Sequence, residues 1–88
     1  MKEVRFSKHS EEKLQILITH EFPITKQLVI DALRNPDKIE EKEDQKKIAQ
    51  KSFNQKLVIR VVYQDFAAFI LVITLYPGRK NRYEKNNL

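Results

Sequence analysis

Apolar side chains recur at helical spacing in two segments of the first half of the chain. The two stripes are Leu14, Leu17 and Ile18, and then Leu28, Val29, Ala32 and Leu33. Ser7 or Ser10 can cap the first helix, and Thr25 can cap the second. We expect the helices to end near Pro23 and Pro36, because the residue before a proline disfavours helical backbone. The pattern therefore predicts two amphipathic helices.

The rest of the chain follows the period of two that is typical of β-strands. The predicted strands are residues 4–6, a charged edge strand at 38–43, a weakly alternating segment at 47–53, and two strong strands at 56–64 and 66–76. In the fourth, one face is apolar and the other is mixed and carries Arg60. We therefore expect an α+β fold in the order β-α-α-β-β-β. Two N-terminal helices pack on one face of an antiparallel sheet, and a shallow polar concavity forms on the other.

Length and composition limit the number of domains, the metal sites and the membrane segments that we expect. Eighty-eight residues with 41% hydrophobic content predict one domain, 1–88, in which residues 79–88 form a basic tail that we expect to be flexible. The chain has no cysteine and only two histidines, so we predict no metal site and no cofactor. It has no apolar signal sequence and no apolar run long enough to span a bilayer as a helix. We expect a cytoplasmic protein without membrane contact.

The positive charge lies in the second half of the chain. Residues 1–44 carry eight Lys or Arg against ten Asp or Glu, a net charge of −2. Residues 45–88 carry nine against two, a net charge of +7. Such an excess favours a polyanionic partner, either nucleic acid or an acidic protein. The alternative is a solvated surface that only aids solubility.

The two strong strands and the basic segment after them resemble a known family. The sequence LVIRVVYQ at residues 57–64 precedes an apolar strand ending in Val72, Ile73 and Thr74. The segment that follows carries Arg79, Lys80, Arg82 and Tyr83. This order is similar to the C-terminal half of the RelE/ParE superfamily of bacterial toxins. The opening FSKH at residues 6–9 and the VITLYP at residues 72–77 resemble a less characterised branch of unknown function near the BrnT toxins.

The resemblance implies a function and assigns roles to residues. RelE-type toxins cut messenger RNA, often on the ribosome, by driving the 2′-hydroxyl onto the adjacent phosphate without a metal, and a cognate antitoxin neutralises them. Arg60 and Arg79 match the arginines of the family by motif and would hold the phosphate. Tyr83 matches a terminal tyrosine that stacks on a base or assists proton transfer. His9 matches a histidine of the branch and is a candidate general base.

The residue pattern itself adds further candidates. Lys47, Lys51, Lys80 and Arg82 are expected to contact RNA phosphates. Cleavage requires Arg60, Arg79 and a proton-transfer group to converge, since positive charge must face the negative charge of the transition state.

Each candidate also has a structural interpretation. Arg60 is then a half-exposed strand arginine, and His9 makes a hydrogen bond between the first helix and the sheet. Two functions stay open: a toxin-like, metal-independent endoribonuclease, or a catalytically silent RelE/ParE-like module that grips a protein partner.

Overall fold

The computed structural model describes residues 2–83 of the chain. Its elements are β1 (Glu3–Phe6), α1 (Lys8–Thr19), α2 (Lys26–Arg34), β2 (Lys38–Glu41), β3 (Lys46–Ser52), β4 (Leu57–Asp65), β5 (Phe69–Arg79) and α3 (Lys80–Tyr83). The fold is α+β, with one five-stranded sheet in the order β1-β5-β4-β3-β2. The sheet is antiparallel except for β1, which runs parallel to β5. None of the helices in residues 2–83 is long and apolar enough to cross a membrane.

Serine and threonine caps start the first two helices. Ser7 caps α1, since its Oγ accepts a hydrogen bond of 3.0 Å from the Ser10 backbone N–H. Thr25 caps α2 in the same way, through a 3.2 Å hydrogen bond from the Leu28 N–H. The α1 helix ends at Thr19, ahead of the expected proline boundary, and α2 ends at Arg34 as expected.

In residues 2–83 the sheet has five strands, one more than the predicted order β-α-α-β-β-β contains. Four strands follow the helices, because the weakly alternating residues 47–53 form most of a full strand, β3, between β2 and β4. A tight turn joins β2 to β3 and includes Asp44 and Gln45, which have positive φ angles of 60° and 62°. The β2 strand lies at the sheet edge, as predicted for this charged segment.

The last strand runs further than expected. It extends to Arg79, so Pro77 and Gly78 lie within it and pair with Ile59 and Val58 of β4. The parallel strand β1 pairs only with residues 69–72 of β5. Pro77 therefore lies where β5 has a free edge among the described residues, the position at which a strand tolerates proline. Residues 80–83 of the predicted flexible tail form α3, and residues 84–88 lie outside the described residues.

The main core lies against one face of the sheet. Buried side chains of α1, α2, β4 and β5 meet there, namely Leu14, Leu17, Ile24, Val29, Ala32, Ile59, Val61, Val72 and Leu75. We call the face that carries Ile59 and Val61 the core face. Because strand side chains alternate, Arg60 projects from the other face, which we call the Arg60 face.

Candidate functional site

Arg60 lies at the centre of a buried polar cluster on the Arg60 face. It is only 3% exposed and stands opposite Gln50 of β3 on one side and Tyr76 of β5 on the other. Gln50 is also buried, at 1% exposure. Arg60 is therefore not the half-exposed strand arginine of the structural interpretation. A buried guanidinium requires partners for its nitrogens.

Every guanidinium nitrogen of Arg60 has a partner inside the protein. Nη1 and Nη2 donate to the two carboxylate oxygens of Glu40, over 3.2 and 3.1 Å. Nη1 also donates to the Gln50 side-chain oxygen, and Nε donates to the Tyr76 hydroxyl over 2.9 Å. This bidentate ion pair joins the edge strand β2 to the central strand β4. Arg60 is thus engaged in a network of internal contacts.

The two charges of the pair stabilise each other. The hydrogen bond from Arg60 lowers the pKa of Glu40 to about 2, although partial burial acts in the opposite direction. Lys38 and Lys42 also lie 3.5 and 3.6 Å from the Glu40 carboxylate and favour its ionised form. Burial by itself would lower the pKa of Arg60, but the hydrogen bonds with Glu40 and Tyr76 raise it. Glu40 and Arg60 therefore remain an ion pair at neutral pH.

Tyr83 covers the guanidinium of Arg60. Its ring centroid lies 4.1 Å from the Arg60 Cζ, within the range of a cation–π contact. The same ring packs on Gly78, where an added Cβ would stand 2.8 Å from the Tyr83 Cδ2. The structure thus brings together two of the predicted catalytic residues, Arg60 and Tyr83. The contact between them is internal.

Arg79 does not meet Arg60. It pairs with Leu57, which lies three residues from Arg60 along β4, so the two arginines project from opposite faces of the sheet. The expected convergence of Arg60 and Arg79 in one pocket is therefore wrong. Its physical cause is that β5 continues through Pro77 and Gly78, so strand alternation still fixes the direction of Arg79.

Arg79 lies instead in an open groove at one end of the sheet. We call it the rim groove; it is lined by Asn54, Gln55, Lys56, Leu57, Arg79, Lys80 and Asn81. Three of these side chains are cationic and none is acidic. The Lys80 N–H donates to the Lys56 carbonyl over 2.9 Å, which fixes the start of α3 beside the turn between β3 and β4. Asn54 orders that turn, because its side-chain oxygen accepts from the N–H groups of Lys56 and Leu57, each over 2.8 Å.

The other predicted phosphate-binding residues lie in different places. Lys47 is 3.7 Å from the carboxylate of Asp65, and Lys51 donates to the Asn35 carbonyl over 2.8 Å. Both lysines project from the core face and do not line the rim groove. Arg82 is exposed on α3. Of the four predicted RNA-binding residues, only Lys80 lines the rim groove.

His9 contacts the sheet. Its Nε2 lies 3.1 Å from the Thr74 hydroxyl of β5, close to the register irregularity between Val62 and Tyr63. The neighbouring Ser7 also reaches this part of β5, since its hydroxyl donates to the Ile73 carbonyl over 2.9 Å. The contact of His9 matches its structural interpretation, a hydrogen bond between α1 and the sheet. Its predicted role as a general base stays a prediction.

Sequence reasoning missed most partners of Arg60. Glu40 lies in the charged edge strand predicted at 38–43, and neither it nor Gln50 or Tyr76 is singled out by the sequence pattern. Lys56 in the rim groove was also missed, although it is the first residue of the strand predicted at 56–64. The sequence feature that these missed residues share is a polar side chain within, or at the start of, a predicted strand.

The rim groove and the metal-binding residue types can be compared with known kinds of site. In residues 2–83, no group of three or more His, Cys, Asp or Glu residues is arranged to hold a metal ion. Three cations with amide side chains beside them suit phosphate oxygens. Comparisons with known proteins found no match to a family model, a curated protein or a solved structure.

Proposed function

We propose that this protein is a RelE/ParE-like module, with its two N-terminal helices on one face of the sheet, that binds the phosphate backbone of single-stranded RNA through the rim groove. The observation that carries the proposal is the composition of the groove. Lys56, Arg79 and Lys80 line it, and among residues 2–83 no carboxylate does. Cations without competing acids leave their charge available to a polyanion.

The neutral residues of the groove favour RNA over a simple anion. Gln55 and Asn81 are exposed beside the three cations. Amide side chains both donate and accept hydrogen bonds, so they suit the 2′-hydroxyl and the base edges of an unpaired strand. The net charge of +7 on residues 45–88 would draw such a strand towards this end of the chain.

Binding is better supported than cleavage. A ribonuclease of the predicted kind needs an arginine that is available to the phosphate and a proton-transfer group beside it. Arg60 is buried and engaged by Glu40, Gln50 and Tyr76, which leaves Arg79 as the arginine that faces solvent in the groove. Within the described part of the chain, neither histidine nor carboxylate side chains line the rim groove. We therefore favour the catalytically silent module over the endoribonuclease.

A protein partner, such as a cognate antitoxin, is the second candidate. The observation that favours it lies on α1, where Ile16 and Ile18 are 53% and 50% exposed. Leu28 on α2 is 37% exposed. A protein partner that covered any of these exposed apolar side chains would remove apolar surface from water. A partner that bound there would not depend on the cations of the rim groove.

The test is RNA binding as a function of salt. Fluorescence anisotropy with a labelled single strand of about 12 nucleotides reports the dissociation constant. If three phosphates contact the groove, affinity falls about 20-fold between about 50 and about 200 mM salt. Arg79→Ala should weaken binding and flatten this dependence. The matched control is Arg34→Ala, because Arg34 is exposed at the end of α2 and lies outside the rim groove.

The alternatives give different results in the same experiment. Equal affinities for Arg79→Ala and Arg34→Ala would remove the rim groove as the binding site. Failure of the wild-type protein to bind the strand at any salt concentration would favour the protein partner. Analysis of the incubated RNA on a sequencing gel reports cleavage, and specific products would restore the endoribonuclease.

A further inference from the structure

We infer that Tyr83 is a positioning residue for the rim groove: packed on Arg60 and Gly78, it holds α3 in place, so that Lys80 and Asn81 line the groove. The inference rests on the proposed function, because it explains how the RNA-binding surface is kept in shape. It gives the buried cluster on the Arg60 face a role without any contact between Arg60 and RNA.

The α3 helix depends on contacts with the rest of the protein at its two ends. This helix has only four residues, Lys80–Tyr83, and an isolated helix of that length is not stable in water. Its conformation must therefore come from contacts with the rest of the protein. At its start, the Lys80 N–H donates to the Lys56 carbonyl. At its end, the Tyr83 ring packs on Arg60 and Gly78.

The part of α3 that lines the rim groove is held by these two contacts. Lys80 and Asn81 both line the rim groove, and they are the first two residues of α3. A segment held at both ends presents the side chains between them in one arrangement, so less conformational entropy is lost when a ligand binds. Loss of the Tyr83 contact would leave the start of α3 held by the hydrogen bond to Lys56 and would release its end. The groove would then lose the fixed position of one of its walls.

Arg60 gives the Tyr83 ring a rigid surface on which to pack. Its guanidinium is fixed by hydrogen bonds to Glu40, Gln50 and Tyr76, so the plane that the Tyr83 ring covers does not reorient. Glycine at position 78 lets the ring approach the strand, because any Cβ there would collide with it. Tyr83, and α3 with it, therefore rests on the fixed guanidinium of Arg60 and on Gly78, which has no side chain.

The test separates the position of α3 from RNA binding. Limited digestion with trypsin reports α3 directly, because Lys80 and Arg82 are cleavage sites within it. We expect Tyr83→Ala to accelerate cleavage after these residues about 2- to 30-fold, the range of a cation–π contact converted to a ratio of populations. Tyr83→Phe keeps the aromatic ring and should be cut at the wild-type rate.

RNA affinity of the same variants completes the test. We expect Tyr83→Ala to bind the labelled single strand more weakly by about 2-fold to at most about 30-fold, and Tyr83→Phe to bind as the wild type does. Gly78→Ala displaces the ring without removing it and should reproduce both effects. Thermal unfolding by circular dichroism establishes that each variant is folded at the assay temperature.

The outcomes are distinguishable. Unchanged digestion of folded Tyr83→Ala or Gly78→Ala would overturn the contact as the support of α3. Faster digestion with unchanged RNA affinity would overturn the role of that support in the rim groove. A wild-type protein that does not bind RNA would overturn the proposed function and the groove part of this inference together. Digestion of the variants would still decide whether Tyr83 holds α3.

Discussion

The carboxylate of Glu40 on β2 and the guanidinium of Arg60 on β4 form two hydrogen bonds across the intervening strand β3. The β2 strand has only four residues and pairs on one side only, so its backbone hydrogen bonds alone hold it weakly. The ion pair adds a side-chain connection between the sheet edge and its centre. Because Arg60 is buried, this connection is stronger than an ion pair in solvent.

Glu40→Gln tests how the pair depends on pH. The folded-state pKa of Glu40 is about 2, below the ordinary value of 4.5, so the carboxylate contributes stability above pH 4.5 and loses it as the pH falls towards 2. The Glu40 side chain is 27% exposed, and we therefore expect a contribution of only about 2 kcal/mol. Urea unfolding at about pH 6 should show that loss for Glu40→Gln, and at about pH 2.5 most of the difference should vanish.

The control for this prediction is Glu41→Gln. Glu41 is the next residue along β2, is exposed, and pairs with Lys47 on the core face. Its substitution should change the free energy of unfolding by less than about 0.5 kcal/mol at either pH. A difference between wild type and Glu40→Gln that stays constant from about pH 6 to about pH 2.5 would show that the charge of Glu40 does not stabilise the fold.

Arg60→Met should destabilise the protein more than Glu40→Gln does. Removal of the guanidinium leaves the buried Gln50 oxygen and the Glu40 carboxylate without their partner, which costs about 3 kcal/mol. Chemical unfolding at neutral pH measures this loss. The double variant Glu40→Leu/Arg60→Met should lose less than the sum of its single variants, because the carboxylate that loses its bidentate partner in Arg60→Met is then absent. Additive losses would contradict coupling between the two residues.

The helices and the strong strands were predictable because their signals are local. Ser7 and Thr25 cap α1 and α2 through hydrogen bonds that span three residues. The alternation in β4 is visible because its core face is uniformly apolar. In β3 the alternation is obscured by Lys47 and Lys51, which project from the core face and reach polar partners at its margin, while Ala49 between them is fully buried.

The candidate site was less predictable because it depends on register. Gln50, Arg60 and Tyr76 stand in one row across three strands, and sequence periodicity does not fix how neighbouring strands align. The direction of Arg79 depended on where β5 ends, since each further strand residue reverses the side on which the next side chain projects. The charge excess of the second half was visible from composition. The placement of Arg79 in the rim groove required the strand pairing of Leu57 with Arg79.

Gly78→Ala tests the close packing between β5 and α3. The new methyl group would collide with the Tyr83 ring, so we expect a loss of about 1 to 3 kcal/mol in the free energy of unfolding. In a Tyr83→Ala background the collision is absent, and Gly78→Ala should then cost less than about 0.5 kcal/mol. Urea unfolding of the four proteins of this cycle gives the coupling directly. If Gly78→Ala lowers the free energy of unfolding equally in both backgrounds, the loss comes from the backbone of β5 and not from the Tyr83 ring.

His9→Ala distinguishes the binding module from the endoribonuclease. His9 contacts Thr74 and does not line the rim groove, so we expect RNA affinity within about twofold of the wild type. Loss of the hydrogen bond to Thr74 should lower the free energy of unfolding by about 1 kcal/mol. Anisotropy and urea unfolding measure these effects, and Thr74→Val is the matched control because it removes the same hydrogen bond and keeps the histidine. RNA products from the wild type and from Thr74→Val that disappear in His9→Ala would identify His9 as a catalytic base and restore the endoribonuclease.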